Sequence, residues 1–457
     1  MTTRILFMLA LLAAVPGWSQ TTGGGNGSTP GTDEQPDQPL ANDGMLTPPP
    51  VSGQAYPILT GAEERMNYLN LGVTANVAYD DNVEGGYTGV SRGDTIYSIW
   101  PAISLNRSSA RLREVINYSP GFTIYQPSTV FNAADQSATV NLQYLMGTHT
   151  NLVVQDNFDR SSSLFSQPFS STQGTVSGGV PTQTSGAVAP FADRILNTAD
   201  LQLTNQAGDN GKFGLSATYS NLDYPDPKQV TGLYNATTWE GGAFVTQRIS
   251  RRQYLGANAQ HARIVSYLSG GTDNVMQRDN IFGFYTIYLR NVQQSTLSFS
   301  ITAGPEHYSI AQYPQAVLTK WVPSGTASLG WQGHLSSASA SISRAITGGG
   351  GLPGAYEEDG AQAVYRRQLR PTWDVNVSAS YSLNKSVTPE YEFSVPGGHT
   401  IGAGASANHM ISRNLKISFG YNWMDQSYKS VVSLNPIPIS NREYFAVTYE
   451  INRPLGR

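Results

Sequence analysis

Several groups of residues in this chain have types and spacing that could support chemistry. Gly89-Val90-Ser91-Arg92-Gly93 has the Gly-x-Ser-x-Gly spacing of a nucleophile elbow. Such an elbow needs a strand before the serine and a helix after it. Here the segment falls in a long break between two strand-like stretches, so a glycine-rich loop is expected. Asp80-Asp81-Asn82 could offer oxygen ligands to calcium. It lacks the spaced carboxylates and distal glutamate of a dedicated loop, so a turn capping a strand is expected. The six histidines (His149, His261, His307, His334, His399 and His409) are scattered, and no pair has metal-ligand spacing. Gly348-Gly349-Gly350-Gly351 is followed by no Lys-Ser/Thr, which rules out a phosphate loop. The chain has no cysteine, so thiolate metal sites, disulfides and a lipid-attachment cysteine are all excluded. The sequence therefore points to no catalytic residue, no metal and no cofactor.

The elements that would position any site are strands. Leu69, Leu71, Val73, Ala75, Val77 and Tyr79 alternate with Asn70, Gly72, Thr74 and Asn76. A period of two places the first set on one face and the second on the other. The pattern recurs in about eighteen (16–18) segments of roughly ten residues. Leu112, Ile116, Tyr118, Phe122 and Ile124 are set against Arg111, Arg113, Asn117 and Thr123. Trp373, Val375, Val377 and Ala379 alternate with Asp374, Asn376 and Ser378, and Leu415, Ile417 and Phe419 with Lys416 and Ser418.

The breaks between segments alternate short and long. Gly208-Asp209-Asn210-Gly211, Ser250-Arg251-Arg252 and Ser412-Arg413-Asn414 are tight-turn residues. Longer stretches lie near 80–94, 126–135, 160–192, 221–235, 266–277, 305–323, 348–359, 385–398 and 425–440. This rhythm predicts an all-β, antiparallel up-and-down barrel in an outer membrane, with short periplasmic turns and long extracellular loops. An even strand number puts both barrel ends on the periplasmic side. The longest loop, Ser161 to Ala192, is rich in Ser, Thr, Gly and Gln, and either folds into the mouth or stays outside.

Upstream, Arg4 precedes the apolar run Ile5 to Val15, and Pro16-Gly17-Trp18-Ser19 follows. The run is shorter than the ~20 residues of a spanning helix and reads as a signal peptide over 1–19. Residues 20–62 form a disordered periplasmic linker, with a flexible Gly23-Gly24-Gly25 and a stiff Pro48-Pro49-Pro50. The barrel occupies 63–457.

Net charge is -4, and charged residues make up 13% of the chain, against about 25% in ordinary soluble domains. Nothing forms a polyanion-binding surface, so nucleic acid is excluded as a partner. Few charges and 25 tyrosines suit a lipid-facing wall around a wet interior. The polar faces are mostly Asn, Gln, Ser, Thr and Gly. The candidate lumen-lining residues are Arg111, Arg113, Asn117, Asn141, Gln143, Asp200, Arg263, Asp374, Asn376, Lys416 and Asn422. A weakly charged lumen of this kind suits small neutral hydrophilic solutes. Aromatics near strand ends (Tyr79, Tyr97, Tyr144, Phe158, Tyr219, Tyr288, Trp331, Trp373 and Trp423) are expected in interfacial girdles. Trp100 and Tyr125 share parity with the polar faces and are expected to point into the lumen.

The last strand, Tyr444 to Ile451, has an apolar face of Phe445, Val447, Tyr449 and Ile451. It resembles the C-terminal signal read by the barrel-assembly machinery, although Asn452 to Arg457 follow it. The stretches Asp80-Asp81-Asn82-Val83, Trp100-Pro101-Ala102-Ile103-Ser104-Leu105 and Tyr118-Ser119-Pro120-Gly121-Phe122, with Tyr125, resemble the opening hairpins of the type 2 group of β-barrel porins. Members of that group are often linked to exopolysaccharide loci. The resemblance implies an outer-membrane barrel that passes solutes or helps export glycan, and it supplies no catalytic residues. The expected function is a porin-like channel. A surface-interaction barrel with a closed lumen and an accessory barrel for exopolysaccharide export are the alternatives. The expected partners are outer-membrane lipid, the assembly machinery, and small solutes or glycan.

Overall fold

The computed structural model describes residues 67–83, 90–129, 132–161, 193–226, 233–267, 273–292, 295–311, 317–348, 354–387, 397–428 and 439–455. The expected signal peptide and linker, and the segment 162–192, lie outside the described residues.

Eighteen strands form one closed antiparallel sheet. In chain order they are β1 (Tyr68–Asp80), β2 (Asp94–Ser108), β3 (Leu112–Gln126), β4 (Ala133–Leu145), β5 (Thr150–Ser161), β6 (Arg194–Ala207), β7 (Gly211–Asp223), β8 (Asn235–Ser250) and β9 (Gln253–Tyr267). The second half comprises β10 (Asn274–Val292), β11 (Ser295–Ala311), β12 (Leu318–Gln332), β13 (Ser336–Thr347), β14 (Tyr356–Arg370), β15 (Trp373–Ser386), β16 (Gly397–Met410), β17 (Leu415–Ser427) and β18 (Ile439–Pro454). Each strand pairs with the next, and β18 returns to pair with β1 from Tyr68↔Pro454 to Asp80↔Arg442. Closure leaves neither terminal strand with a free edge, the condition under which strands can cross a bilayer.

Connections at the end holding the start of β1 and the end of β18 are brief, such as 109–111, 208–210, 251–252 and 371–372. Those at the other end are longer, as between Asp80 and Asp94 or Ser427 and Ile439. Asp80-Asp81-Asn82 is the expected cap, and it also ties the closing seam. Asp80 Oδ1 accepts the Asn82 N–H at 3.0 Å and the Ser440 hydroxyl at 2.9 Å. Asp81 accepts both the backbone N–H and the amide of Asn441, at 2.7 and 2.6 Å.

One expected long break is corrected. The stretch 305–323 is mostly strand, because β11 continues to Ala311 and β12 begins at Leu318. Pro305 and Pro323 suggest a loop in the sequence, yet they lie directly opposite each other inside the sheet. Proline is confined to places where no ladder donor is needed, and the β10–β11 ladder is interrupted between Asn280↔Glu306 and Gly283↔Ala303.

The two beats separate inside from outside. Leu71, Val77 and Tyr79 on β1 are exposed on the outer wall, while Asn70, Ala78 and Asp80 are buried on the inner one. The outer band continues through Phe122, Leu215, Val245, Ile301, Leu329, Val377 and Phe445. Trp321 and Trp331 mark its edges on β12. The chain between them spans about 34 Å at ~3.4 Å per residue, and a tilt of ~40° reduces that to about 25 Å, the height of a lipid-facing band.

Tyr288 departs from the expected girdle. It points inward and meets Tyr254 edge-on at 6.1 Å, while the neighbouring Leu289 is exposed. A register shift between Tyr288 and Arg290 marks this end of β10.

Trp100 and Tyr125 are each 2% exposed on the inner parity of their strands, as expected. Pro101 and Pro120 fall in a gap of the β2–β3 ladder, and the Ser119 hydroxyl donates to the Pro101 carbonyl at 2.9 Å. The Trp100 ring lies directly over Gly121, where a Cβ would overlap it. Gly121→Val is therefore expected to cost about 1–3 kcal/mol through overpacking. The check is a lower temperature for loss of the compact, heat-modifiable form on gels.

Candidate functional site: the barrel interior

Strand pairing converts scattered polar residues into inner-wall groups. The first spans β3 to β7. Arg113 lies opposite Gln143, and Asn117 opposite Thr139, whose hydroxyl accepts the Asn117 amide at 2.9 Å. Asn141 lies between Val115 and Gln155, and Gln155 is paired in turn with Asp200. Asp200 accepts the Thr218 hydroxyl at 2.7 Å. These inward residues are half-buried, and Asn141 is exposed. The arc thus presents amide, hydroxyl and charged groups to the interior.

The second group forms a collar near the short-connection end. Asp374 accepts the Asn408 amide at 2.9 Å and lies 3.8 Å from Arg366 Nε. Lys416 is within electrostatic reach of Glu450, Asp374 and Arg366. The Asn70 amide reaches Glu450 at 3.5 Å, and Asn376 lies opposite Arg366. Asp374 and Lys416, distant in sequence, are brought together here with mixed charge. Asn422 also points inward but is buried, 1% exposed, opposite Arg442. Arg442 is itself buried amid Tyr125, Asp80, Tyr444 and Asp135.

Two expected lining residues are placed elsewhere. Arg111 is exposed in the short β2–β3 connection, one residue before β3 begins. Arg263 faces outward, paired with the exposed Trp239. Next to it on the outer wall, His261 Nδ1 meets Asp279 Oδ1 at 2.7 Å. The odd-numbered face of β9 is apolar at Leu255, Ala257 and Ala259 and turns polar at His261 and Arg263 as the strand nears its long connection.

A third inner group was not evident in the sequence. Arg278 Nη2 donates to Glu240 Oε2 at 2.6 Å, and its Nε lies 3.4 Å from Glu306 Oε1. Ala262 separates Glu240 from Arg278 in register, and its small side chain leaves a path across β9. Glu306 is 1% exposed and also accepts the Ser324 hydroxyl and the Ile346 N–H. The sequence leaves a trace only at Glu240 and Glu306, which fall on polar beats, whereas Arg278 shares its face of β10 with Met276, Phe282 and Phe284.

Beyond the strand ends, burial pushes the Tyr224 phenol up to about 12, partly offset by Arg194. Burial also raises Tyr428, which accepts the Asn384 amide at 2.7 Å. Both remain neutral hydrogen-bonding groups at ordinary pH. Among the described residues, no group of three or more His, Asp or Glu is arranged to hold a metal.

No family model matches the chain, and no curated protein matches it. Among solved structures it is similar to OccK2 (OpdF) of Pseudomonas aeruginosa, at 9% identity and a TM-score of 0.41, covering 85% of this chain and 98% of that one. OpdK of the same organism, solved with vanillate, matches at 10% identity and a TM-score of 0.40, covering 85% and 99%.

Proposed function

We propose that the protein is an outer-membrane channel for small, mostly neutral hydrophilic solutes. A closed barrel with an apolar outer band belongs in a bilayer it crosses with strands, and such barrels are built for outer membranes. The observation that carries the channel reading is the β3–β7 inner arc, where Asn141 is exposed although it points inward. A wall of amides and hydroxyls replaces the water shell of a hydroxyl-rich solute without demanding charge. The mixed-sign collar of Asp374, Lys416, Arg366 and Glu450 fits weak preference between anions and cations. The resemblance of the opening hairpins to the type 2 group of β-barrel porins supports the same reading. β18, with Phe445, Val447, Tyr449 and Ile451 on its outer face, is the strand that would engage the assembly machinery.

Vesicles loaded with the protein should swell in monosaccharides and disaccharides, more slowly as the solute grows. Asn141→Trp should slow entry of the larger sugars about two- to fivefold, by filling space on the open arc. Absence of swelling in every sugar would sink the proposal.

A further inference from the structure

We propose that the wall between β12 and β13 is a lateral exit from the lumen to the outer leaflet, closed by the inward-turned tip of β13 (Ile346 and Thr347), for amphipathic solutes with an apolar tail. The inference presupposes the channel reading.

The ladder between these strands runs from Gln332↔Ser337 only as far as Gly325↔Arg344. Both strands continue past that point, β12 up to Leu318 and β13 to Thr347. The next outward position on β12 is Pro323, in line with Ile346. Proline has no N–H to donate, so the ladder cannot be extended there. From Leu318 to Ser324, β12 pairs with β11 alone.

The backbone groups of Ile346 are satisfied by side chains from the inner wall instead. Its carbonyl accepts Arg278 Nη1 at 2.8 Å, and its N–H donates to Glu306 Oε2 at 3.2 Å. Arg278 and Glu306 belong to β10 and β11, so the tip is folded inward against their inner faces. Moving it outward breaks these side-chain contacts and no β12–β13 ladder bond.

The surface the tip covers is apolar, although the β3–β7 arc is polar. Ile346 packs with Ile264, Met276, Tyr308 and Ile310, and Leu318 and Val322 of the unpaired β12 edge close the cluster. Outside the same seam, Val317, Trp321 and Ile342 are exposed. At the lip, Arg344 and Lys385 both contact Asp359, at 2.5 and 2.9 Å. An apolar path from the inner face to the outer band, bordered by paired charges, matches a polar head joined to an alkyl or aryl tail.

The natural chain has no cysteine, so Val322→Cys with Ile346→Cys introduces the only two thiols, and a disulfide ties the tip to β12. The probe is a dodecyl glucoside with a photoreactive group in its alkyl chain, added to the protein in nanodiscs. Labelling at Met276 and Ile310 should fall about fivefold or more when the disulfide forms and recover on reduction. Sucrose entry into vesicles should be the same in both states. Equal labelling in the two states, or labelling confined to the outer band, overturns the proposal. So does a disulfide that also stops sucrose, because the tip would then gate the lumen and not the wall. If sucrose fails to enter in either state, the channel reading falls, and the labelling contrast still decides the seam. The reduced protein is its own folding control.

Discussion

An arginine at Ile301 is expected to cost the barrel about 2–4 kcal/mol, whereas an arginine at the adjacent Thr302 leaves stability nearly unchanged and alters the current. Ile301 is exposed on the outer wall near mid-band, between Tyr285 and Ala327. If that wall faces hydrocarbon, a guanidinium there has no water and no partner. Thr302 is one residue away, on the inner face opposite Thr326. A charge at that position stays solvated and changes ion passage. The pair isolates the inside–outside assignment from the general effect of inserting a large residue. Reversible urea unfolding in lipid vesicles measures the first effect, and conductance the second. Equal destabilisation at both positions would mean that the outer wall does not face lipid.

The second large effect is expected at Arg278. Arg278→Met should destabilise the barrel by about 3–5 kcal/mol, because breaking a buried pair leaves an uncompensated charge. Glu306 is 1% exposed and Glu240 is 19% exposed, so neither carboxylate is well placed to recover its solvation. Ile346 would also lose the donor to its carbonyl. Adding Glu306→Gln to Arg278→Met should restore much of the loss, since the amide needs no counter-charge. The unfolding midpoints of the wild type, the two single variants and the double variant form a cycle that reads this coupling. Additive losses would show that Arg278 and Glu306 act independently.

The barrel itself is legible in the sequence because alternation is a one-residue signal that strand pairing preserves. The beat at Leu69 to Tyr79 emerges as the outer face of β1, and the turn residues at Gly208 to Gly211 lie at a short connection. What alternation does not encode is where the apolar band ends along each strand. On β9 the outer face passes from Ala259 to His261 and Arg263, so a polar residue near the long-connection end carries no information about which way it points. Proline misleads in a different way. Pro305 and Pro323 are locally turn formers, and they are tolerable inside the sheet because the β10–β11 ladder has a gap beside Pro305 and the β12–β13 ladder ends before Pro323.

The candidate site is less legible because it depends on register. Asp374 and Lys416 are each recognisable as polar-beat residues, but their meeting follows from the β15–β16–β17 pairing. Glu240, Arg278 and Glu306 come from three strands, and Ala262 between two of them is decisive through its small size. Asn422 shares its beat with Lys416 but lies buried opposite Arg442, a neighbour contributed by the next strand.

Passage of solutes requires a continuous aqueous path through the interior. Single-channel recording in planar bilayers tests this directly. The expected result is stepwise conductance with weak preference between anions and cations, reduced by Asn141→Trp and shifted toward cations by Lys416→Glu. Protein that inserts as a folded, heat-modifiable barrel yet passes no current would contradict it.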